Sequence, residues 1–319
     1  MAESATAAAP AEGSAGAPWR GRNRITLAKW AVGLAFWGWV LLRWLNDWLG
    51  GVLVPPGEPF LQAAVFTGLE AGVPDAIPVV NDALVGLAFA VEFLPRLVNA
   101  MWLTVILTVV SIAIGFVIAV PLAAARVYGR VWAVVSLAYV ELLRGTPLLA
   151  QLFVLYYGLP WLPTFFRELP WVGAGFLPGQ AVFVAVVGFT LNSAAYQAEY
   201  IRGAIESVDT RQLQAARAVG LDQVEGIRFV VLPQALRYAI PGWTNELVYL
   251  IKYSSLAAFI TVPELFQAAG RIASQNYRYT ALFVIAGILY LGLVITATNV
   301  MERVGETVSI PGVGTAAER

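Results

Sequence analysis

The stretch from Leu97 to Ala125 contains no Asp, Glu, Lys or Arg. A helix of about 20 apolar residues is long enough to cross the hydrocarbon core of a bilayer. Inside that core the backbone must satisfy its own hydrogen bonds, so an α-helix is the form that such a segment takes. The stretch therefore predicts a membrane-spanning helix and makes an integral membrane protein the first hypothesis for the chain.

The composition agrees and excludes several kinds of chemistry. Hydrophobic residues make up 59% of the 319 positions and charged residues 13%, whereas soluble domains carry about 25% charged residues. There is no Cys and no His, so no metal site, thiolate nucleophile or imidazole base is predicted. The formal net charge of 0 gives no sign of a nucleic-acid partner. Neither Lys29 nor Lys252 lies in a GxxxxGK[ST] pattern, so the chain has no phosphate-binding loop of its own.

We predict an all-α integral membrane protein with about six transmembrane helices and both termini in the cytoplasm. The predicted spans run from about Leu27 to Trp48, Leu97 to Ala125, Val131 to Pro160, Ala181 to Tyr200, Tyr238 to Val262 and Tyr279 to Met301. The predicted segments are a disordered cytoplasmic tail at 1–24, an N-terminal transmembrane helix at 25–49, an external segment at 50–92, a transmembrane domain at 93–301 with a cytoplasmic loop at about 201–237, and a cytoplasmic tail at 302–319.

The basic residues determine this orientation. Six alternating spans with an internal N-terminus place most of the 20 Lys and Arg residues in cytoplasmic loops and tails, as the positive-inside rule requires. The external segment 50–92 holds no Lys or Arg, and we expect one or two short helices in it. A basic flank before an apolar stretch also fits a cleaved signal peptide. No small-x-small cleavage site follows, so we expect a retained helix.

The predicted cytoplasmic loop carries unusually clear helix signals. Asp209–Gln212 and Asp222–Glu225 each fit a capping box at a helix start. Between them Gly220 can end the first helix in the left-handed conformation, and Pro233 is expected to interrupt the second. The sequence thus predicts two short helices joined at Gly220. An amphipathic connector lying on the membrane is the alternative.

The spacing in this loop resembles the EAA loop of the permease subunits of ABC importers. In that pattern E-A-A is followed by three residues, G, nine residues, I, one residue and L-P. Gln replaces the usual Glu, and Val replaces Ile, while every spacing is kept. The matching residues, which the resemblance implies dock on an ATPase subunit, are Gln214, Ala215, Ala216, Gly220, Val230, Leu232 and Pro233.

Three further segments are similar to the polar amino acid branch of that family. They begin at Glu141, at Asn192 and at Leu250, and read ELLRGTPLLAQ, NSAAYQAEYIRG and LIKYSSL. The resemblance covers about 95–301 and implies a five-helix core, to which 25–49 adds one helix. The candidate pathway or gate residues in these segments are Glu141, Arg144, Gly145, Thr146, Pro147, Asn192, Glu199, Lys252 and Ser255.

Helix geometry and the cost of polar groups in a membrane predict the contacts of several of these candidate residues. Glu141 and Arg144 are three residues apart on a predicted helix and are expected to pair, as Glu199 is with Arg202. Asn192, within a span, is expected to form an interhelical hydrogen bond. Gly145 and Pro147 weaken the helix beside the first pair and leave a hinge or a tight crossing open. Lys252 is the candidate for binding the carboxylate of a substrate, and a structural role remains open for each.

The resemblance implies a permease subunit in the plasma membrane of a prokaryote. It implies a homodimer of ATP-binding subunits as partner, a second permease subunit of the same or a related kind, and an external substrate-binding protein. ATP and Mg²⁺ belong to the partner ATPase, so this chain has no cofactor and is not an enzyme. The alternatives are an importer of another small solute, such as an osmolyte or peptide, and a secondary transporter driven by an ion gradient. Such carriers often have internal repeats, and no convincing repeat is present here.

Overall fold

The computed structural model describes residues 19–60, 78–174 and 177–308, and within these ranges it is helical with irregular connections and no strand. The α-helices are α1 (Trp19–Trp48), α2 (Pro78–Tyr128), α3 (Val131–Gly145), α4 (Leu148–Phe153), α5 (Trp161–Glu168), α6 (Gln180–Ser207), α7 (Thr210–Ala218), α8 (Gln223–Gly226), α9 (Leu232–Tyr238), α10 (Ile240–Tyr253), α11 (Leu265–Asn276) and α12 (Tyr279–Val308). The structure divides into two units, Met1–Leu41 and Leu42–Arg319, and all contacts below lie within the second.

The first residues of α1 and α2 differ from the boundaries that the sequence predicted. Helix α1 begins at Trp19, so the last six positions of the predicted tail 1–24 are helical, and residues 1–18 lie outside the described part. Helix α2 begins at Pro78, inside the predicted external segment 50–92. Its 51 residues make it about 75 Å long, more than twice the hydrocarbon core of a bilayer. A helix that leaves the membrane can carry the charges that led us to predict a separate segment.

Three helices in the described residues are long and apolar enough to cross a membrane, within Ala88–Tyr128, Gln180–Ser207 and Tyr279–Val308. A fourth crossing is possible if Val131–Gly145 and Leu148–Gly158 count as one span. These two pieces are bent by 101°, so the span predicted from Val131 to Pro160 is broken at the residues where we left a hinge or a tight crossing open. Pro147 disfavours the helical conformation of the residue before it, and Thr146 accordingly has extended backbone angles.

The predicted span from Tyr238 to Val262 is also divided. Helix α10 has 14 residues, which at 1.5 Å per residue is about 21 Å. A 3₁₀ helix, Ser254–Ile260, continues it and ends at Thr261, whose φ of 68° is left-handed. Between the predicted spans that end at Pro160 and begin at Ala181, the chain first forms α5.

Helix α6 lies at the centre of the packing, with buried positions along its whole length. It crosses α2 closely at Gly115, where an added Cβ would lie 2.8 Å from Nε2 of Gln197 and 3.3 Å from the backbone nitrogen of Ala194. Nε2 of Gln197 is a buried donor that bonds to the Ile112 carbonyl at 3.1 Å and to Oγ of Ser193 at 3.0 Å. The absence of a side chain at position 115 therefore lets the two helices approach and keeps a buried amide satisfied.

A buried charged cluster ties the end of α1 to α2. The guanidinium of Arg43 is fully buried, forms an ion pair with Asp47 and donates to the carbonyl of Glu58. The same carboxylate accepts a hydrogen bond from the Asn99 amide on α2. Beside it, Nε1 of Trp44 donates to the Val98 carbonyl at 2.7 Å. Because the connection after α1 and the first half of α2 both bond to this cluster, it fixes one against the other.

Candidate docking loop and pathway residues

The predicted loop consists of two capped helices. The Asp222 carboxylate accepts from the backbone nitrogen of Glu225 at 2.7 Å, and the Glu225 carboxylate accepts from the backbone nitrogen of Asp222 at 3.0 Å, which confirms that capping box. The other box was only half right. Asp209 caps α7 through the backbone nitrogen of Arg211, at 2.9 Å. The Arg211 guanidinium also bonds to Asp209 and lowers the pKa of that carboxyl group below its usual value.

Gly220 ends α7 as the sequence predicted. Its φ is +93°, a conformation that L residues rarely adopt. The backbone nitrogen of Gly220 bonds to the Arg217 carbonyl at 3.0 Å, and that of Leu221 bonds to the Ala216 carbonyl at 3.1 Å. These two bonds form a Schellman motif, which satisfies carbonyls at the helix end and sets the direction in which α8 leaves.

Gly226 is a loop residue that the sequence analysis missed. A Cβ added there would lie 2.7 Å from Cδ1 of Leu213 and 3.4 Å from Cβ of Ala216. Helices α7 and α8 therefore meet at this position, and Ala216 is buried between them. The small side chain of Ala216 is used for this internal contact, so it is not on the outer surface of the loop. Only the glycine itself could have signalled the close approach.

Pro233 does not interrupt the helical path as we expected. A π-helical turn, Ile227–Val231, precedes it, and Pro233 lies in the first turn of α9, where its missing N–H costs little. Val231 and Ala235 are buried against α6. The second half of the predicted docking pattern, including Val230 and Leu232, thus connects the loop to the membrane domain.

The outer surface of the loop is apolar as well as polar. Gln214 and Ala215 are exposed. So are three large apolar side chains, Val219 at 80%, Val224 at 71% and Phe229 at 61%. These five residues, here called the docking surface, lie on α7, the turn that ends it, α8 and the π turn. Large apolar side chains exposed on a loop outside the spans are the kind of feature that an interaction surface shows.

We predicted an ion pair between Glu141 and Arg144, but the described residues do not form it. Arg144 instead lies 4.0 Å from the carboxylate of Glu199 on α6 and over the Tyr196 ring, 5.2 Å from its centroid. The predicted pair of Glu199 with Arg202 is confirmed at 2.5 Å. Arg144 therefore connects α3 to α6, because a carboxylate on a neighbouring helix is better placed than the one on its own.

Asn192 forms the interhelical hydrogen bonds that we expected. Its amide nitrogen donates to the Leu143 carbonyl and to Oε1 of Gln151, both at 3.2 Å. Nε2 of Gln151 in turn donates to Oγ1 of Thr146 at 2.8 Å. These bonds bridge the break at Gly145, Thr146 and Pro147, where α3 gives way to α4. The ELLRGTPLLAQ segment and Asn192 are therefore brought together at one bend.

Lys252 and Ser255 lie at the end of α10 and the start of the 3₁₀ helix. The ammonium group of Lys252 is exposed and lies 5.8 Å from the centroid of the Tyr249 ring. Oγ of Ser255 donates to the Lys252 carbonyl at 2.8 Å. One turn and a half earlier Glu246 is only 3% exposed. No ion pair of Glu246 or Lys252 occurs among the described residues, so the two side chains are not paired with each other.

The chain belongs to the family described as the binding-protein-dependent transport system inner membrane component, whose pattern matches residues 111–308. This places it among the membrane components of ABC importers, which work with an ATPase partner, and makes it a multi-pass protein of the bacterial cell membrane.

Curated relatives agree with this assignment. The chain is 39% identical to the nopaline transport system permease protein NocM of Agrobacterium fabrum, over 63% of this chain and 83% of the relative. It is 35% identical to the histidine/lysine/arginine/ornithine transport system permease protein HisM of Escherichia coli, over 59% of this chain and 79% of the relative.

Solved structures agree on the fold. One described as an amino acid ABC transporter with histidines matches with a TM-score of 0.58 and 29% identity, over 68% of this chain and 96% of the other. The methionine transporter MetNI matches with a TM-score of 0.55 and 23% identity, over 67% of this chain and 96% of the other, which supports the fold alone.

Proposed function

We propose that this chain is the permease subunit of an ATP-driven importer and forms the membrane pathway for a polar amino acid. The observation that carries the proposal is the loop from Gln214 to Pro233. It combines a left-handed glycine, Gly220 with a φ of +93°, with three large exposed apolar side chains. The loop is built on two capped helices, and its second half, with Val231 and Ala235, is buried against α6. A partner that moves the loop would therefore move the spans as well.

The proposed partner at the docking surface is a homodimer of ATP-binding subunits, which holds ATP and Mg²⁺. This chain itself carries out no covalent chemistry. A second permease subunit, identical or related, completes the pathway, and an external binding protein delivers the substrate. Gln214 bears no charge, so its contact with the ATPase subunit is a hydrogen bond at most. The exposed apolar side chains supply the larger part of the contact.

The proposed topology has six spans and both termini in the cytoplasm. The three long helices and the bent pair α3 and α4 supply four crossings. Helix α1 and the segment Ile240–Ile260 complete the six. With this topology the loop between α6 and α10 faces the ATPase, and α1 is the added helix outside the five-helix core.

A polar amino acid is the proposed substrate because the matched relatives include permease proteins for histidine, lysine, arginine and ornithine. We assign the bend at Gly145–Pro147, braced by Asn192, to the gate, since a break in a span is where two arrangements of a helix can exchange. The exposed ammonium group of Lys252 is the proposed partner of the substrate carboxylate.

The docking surface is tested by co-purification of the ATPase subunit with the tagged permease. Replacement of both Val224 and Phe229 by aspartate places charge on exposed apolar positions, so the fold should persist while the ATPase subunit is lost. Thr307→Asp, at an exposed position at the end of α12, is the control and should retain the ATPase subunit. Retention of the ATPase subunit by the double variant at the wild-type level would argue for another docking site.

A further inference from the structure

A cavity of about 360 Å³ lies between α2 and the turn that joins α11 to α12. One face of α2 forms its wall with Val85, Ala88, Phe89, Glu92 and Phe93, which recur at helical spacing. The size lies at the lower end of the range for small-molecule sites. The wall lies before residue 111, where the family match begins, so the pathway described above does not account for the cavity.

The opposite side of the cavity is formed by Asn276 and Arg278. Between them Tyr277 has a φ of 56°, in the left-handed region, and this conformation ends α11. This turn in the chain brings both neighbours of Tyr277, Asn276 and Arg278, to the cavity. The guanidinium of Arg278 lies over the Phe89 ring, 5.0 Å from its centroid, so the aromatic side chain holds it at the wall.

Charges of both signs line this cavity without neutralising each other. Glu92 is on α2, three residues after Phe89, and therefore on the same face as the ring beneath Arg278. Among the ion pairs of the described residues neither Glu92 nor Arg278 has a partner, although both line one cavity. Both side chains are exposed, so a ligand can reach the carboxylate and the guanidinium from solvent.

We propose that this cavity binds a free α-amino acid, with the ligand carboxylate on Arg278 and the ligand ammonium group on Glu92. A ligand with charges of both signs satisfies both side chains, whereas an anion or a cation alone satisfies one. Arg is suited to the planar carboxylate, and Asn276 adds a polar group beside it. The side chain of the amino acid would contact Phe89 and Phe93.

The site deepens the proposed function and rests on its topology, which places the turn at residues 276–278 on the external side. There it would receive the amino acid before the pathway proper. The binding chemistry itself does not depend on transport, so it can be measured on the isolated subunit. Uptake could be driven by ATP even if this cavity stays empty, and the two proposals can therefore fail separately.

The test is calorimetric titration of the full-length subunit in nanodiscs with L-glutamine, whose side chain is uncharged. The comparison ligands are its methyl ester, which lacks the carboxylate charge, and N-acetyl-L-glutamine, which lacks the ammonium charge. Each should bind about tenfold more weakly than L-glutamine, because each loses one charge-assisted contact. Arg278→Gln should remove the preference over the ester, and Glu92→Gln the preference over the N-acetyl compound.

Arg96→Gln is the matched control, since Arg96 stacks on Phe93 from outside the cavity lining and should leave all three affinities unchanged. Arg278→Lys, which keeps the charge, should retain part of the preference over the ester. Absence of L-glutamine binding, or equal binding of the three ligands, would overturn the proposal. The proposal would also be overturned if Glu92→Gln and Arg278→Gln both kept the wild-type preference for L-glutamine over the two comparison ligands. If these variants only weakened capture of the binding protein, the cavity would be a docking surface instead.

Discussion

Replacing Gly220 with proline is expected to abolish ATP-driven uptake while the subunit still inserts into the membrane. The φ of +93° at this position is outside the reach of proline, which is fixed near −65°. Proline also removes the N–H that bonds to the Arg217 carbonyl at 3.0 Å. The Schellman motif cannot then form, and α8 leaves α7 in another direction. The docking surface would lose its shape, and movement of the ATPase subunit would no longer reach the spans.

The measurement is uptake by proteoliposomes together with ATP hydrolysis by the same complex. Gly220→Ala should retain part of the uptake. An added Cβ meets no atom within 4 Å, so only the backbone conformation, at about 1–2 kcal/mol, opposes it. Gly203→Ala is the control, because Gly203 is exposed within α6 and has no positive φ. Wild-type uptake by Gly220→Pro would contradict the role given to the loop.

Replacing Arg43 with leucine is expected to destabilise the membrane domain by about 3–5 kcal/mol, since it leaves the buried Asp47 carboxylate without its partner. The Glu58 carbonyl also loses a donor. Both losses weaken the contacts that hold the segment after α1 against α2. The thermal unfolding midpoint of the detergent-solubilised protein should fall by roughly 10 °C.

Two variants separate the buried charge from other causes. The double replacement of Arg43 and Asp47 by leucine should be less destabilising than Arg43→Leu alone, because no unpaired charge remains. Arg211→Ala breaks an ion pair of the same kind at the surface and should leave the midpoint unchanged, because the Arg211 side chain is 84% exposed. If Arg43→Leu behaved like Arg211→Ala, the cluster would not hold α1 and α2 together.

The sequence predicted best what is determined locally. The capping box at Asp222 and Glu225 and the left-handed cap at Gly220 both depend on residues within four positions, and both were found. The pair of Glu199 and Arg202 is one turn apart and was also found. The sequence failed where a distant helix competes. Arg144 is placed against α6, so Glu141 has no role in its ion pair.

Helix ends and close approaches were less predictable for related reasons. The start of α2 at Pro78 was missed because charged residues indicate solvent but do not end a helix. The bend at Thr146 was foreseen only as one of two possibilities, since Gly and Pro weaken a helix without setting its direction. Gly115 and Gly226 have no local signal, because the atoms that exclude a side chain there come from other helices.

The central claim is that this chain transports an amino acid at the cost of ATP hydrolysed by a partner docked on the loop from Gln214 to Pro233. The most direct measurement is uptake of radiolabelled amino acids by proteoliposomes that contain the complete complex, with and without internal ATP and the external binding protein. We predict uptake only when both are present, with no response to an imposed proton or sodium gradient. Uptake driven by such a gradient in the absence of ATP would contradict the account and favour a secondary transporter.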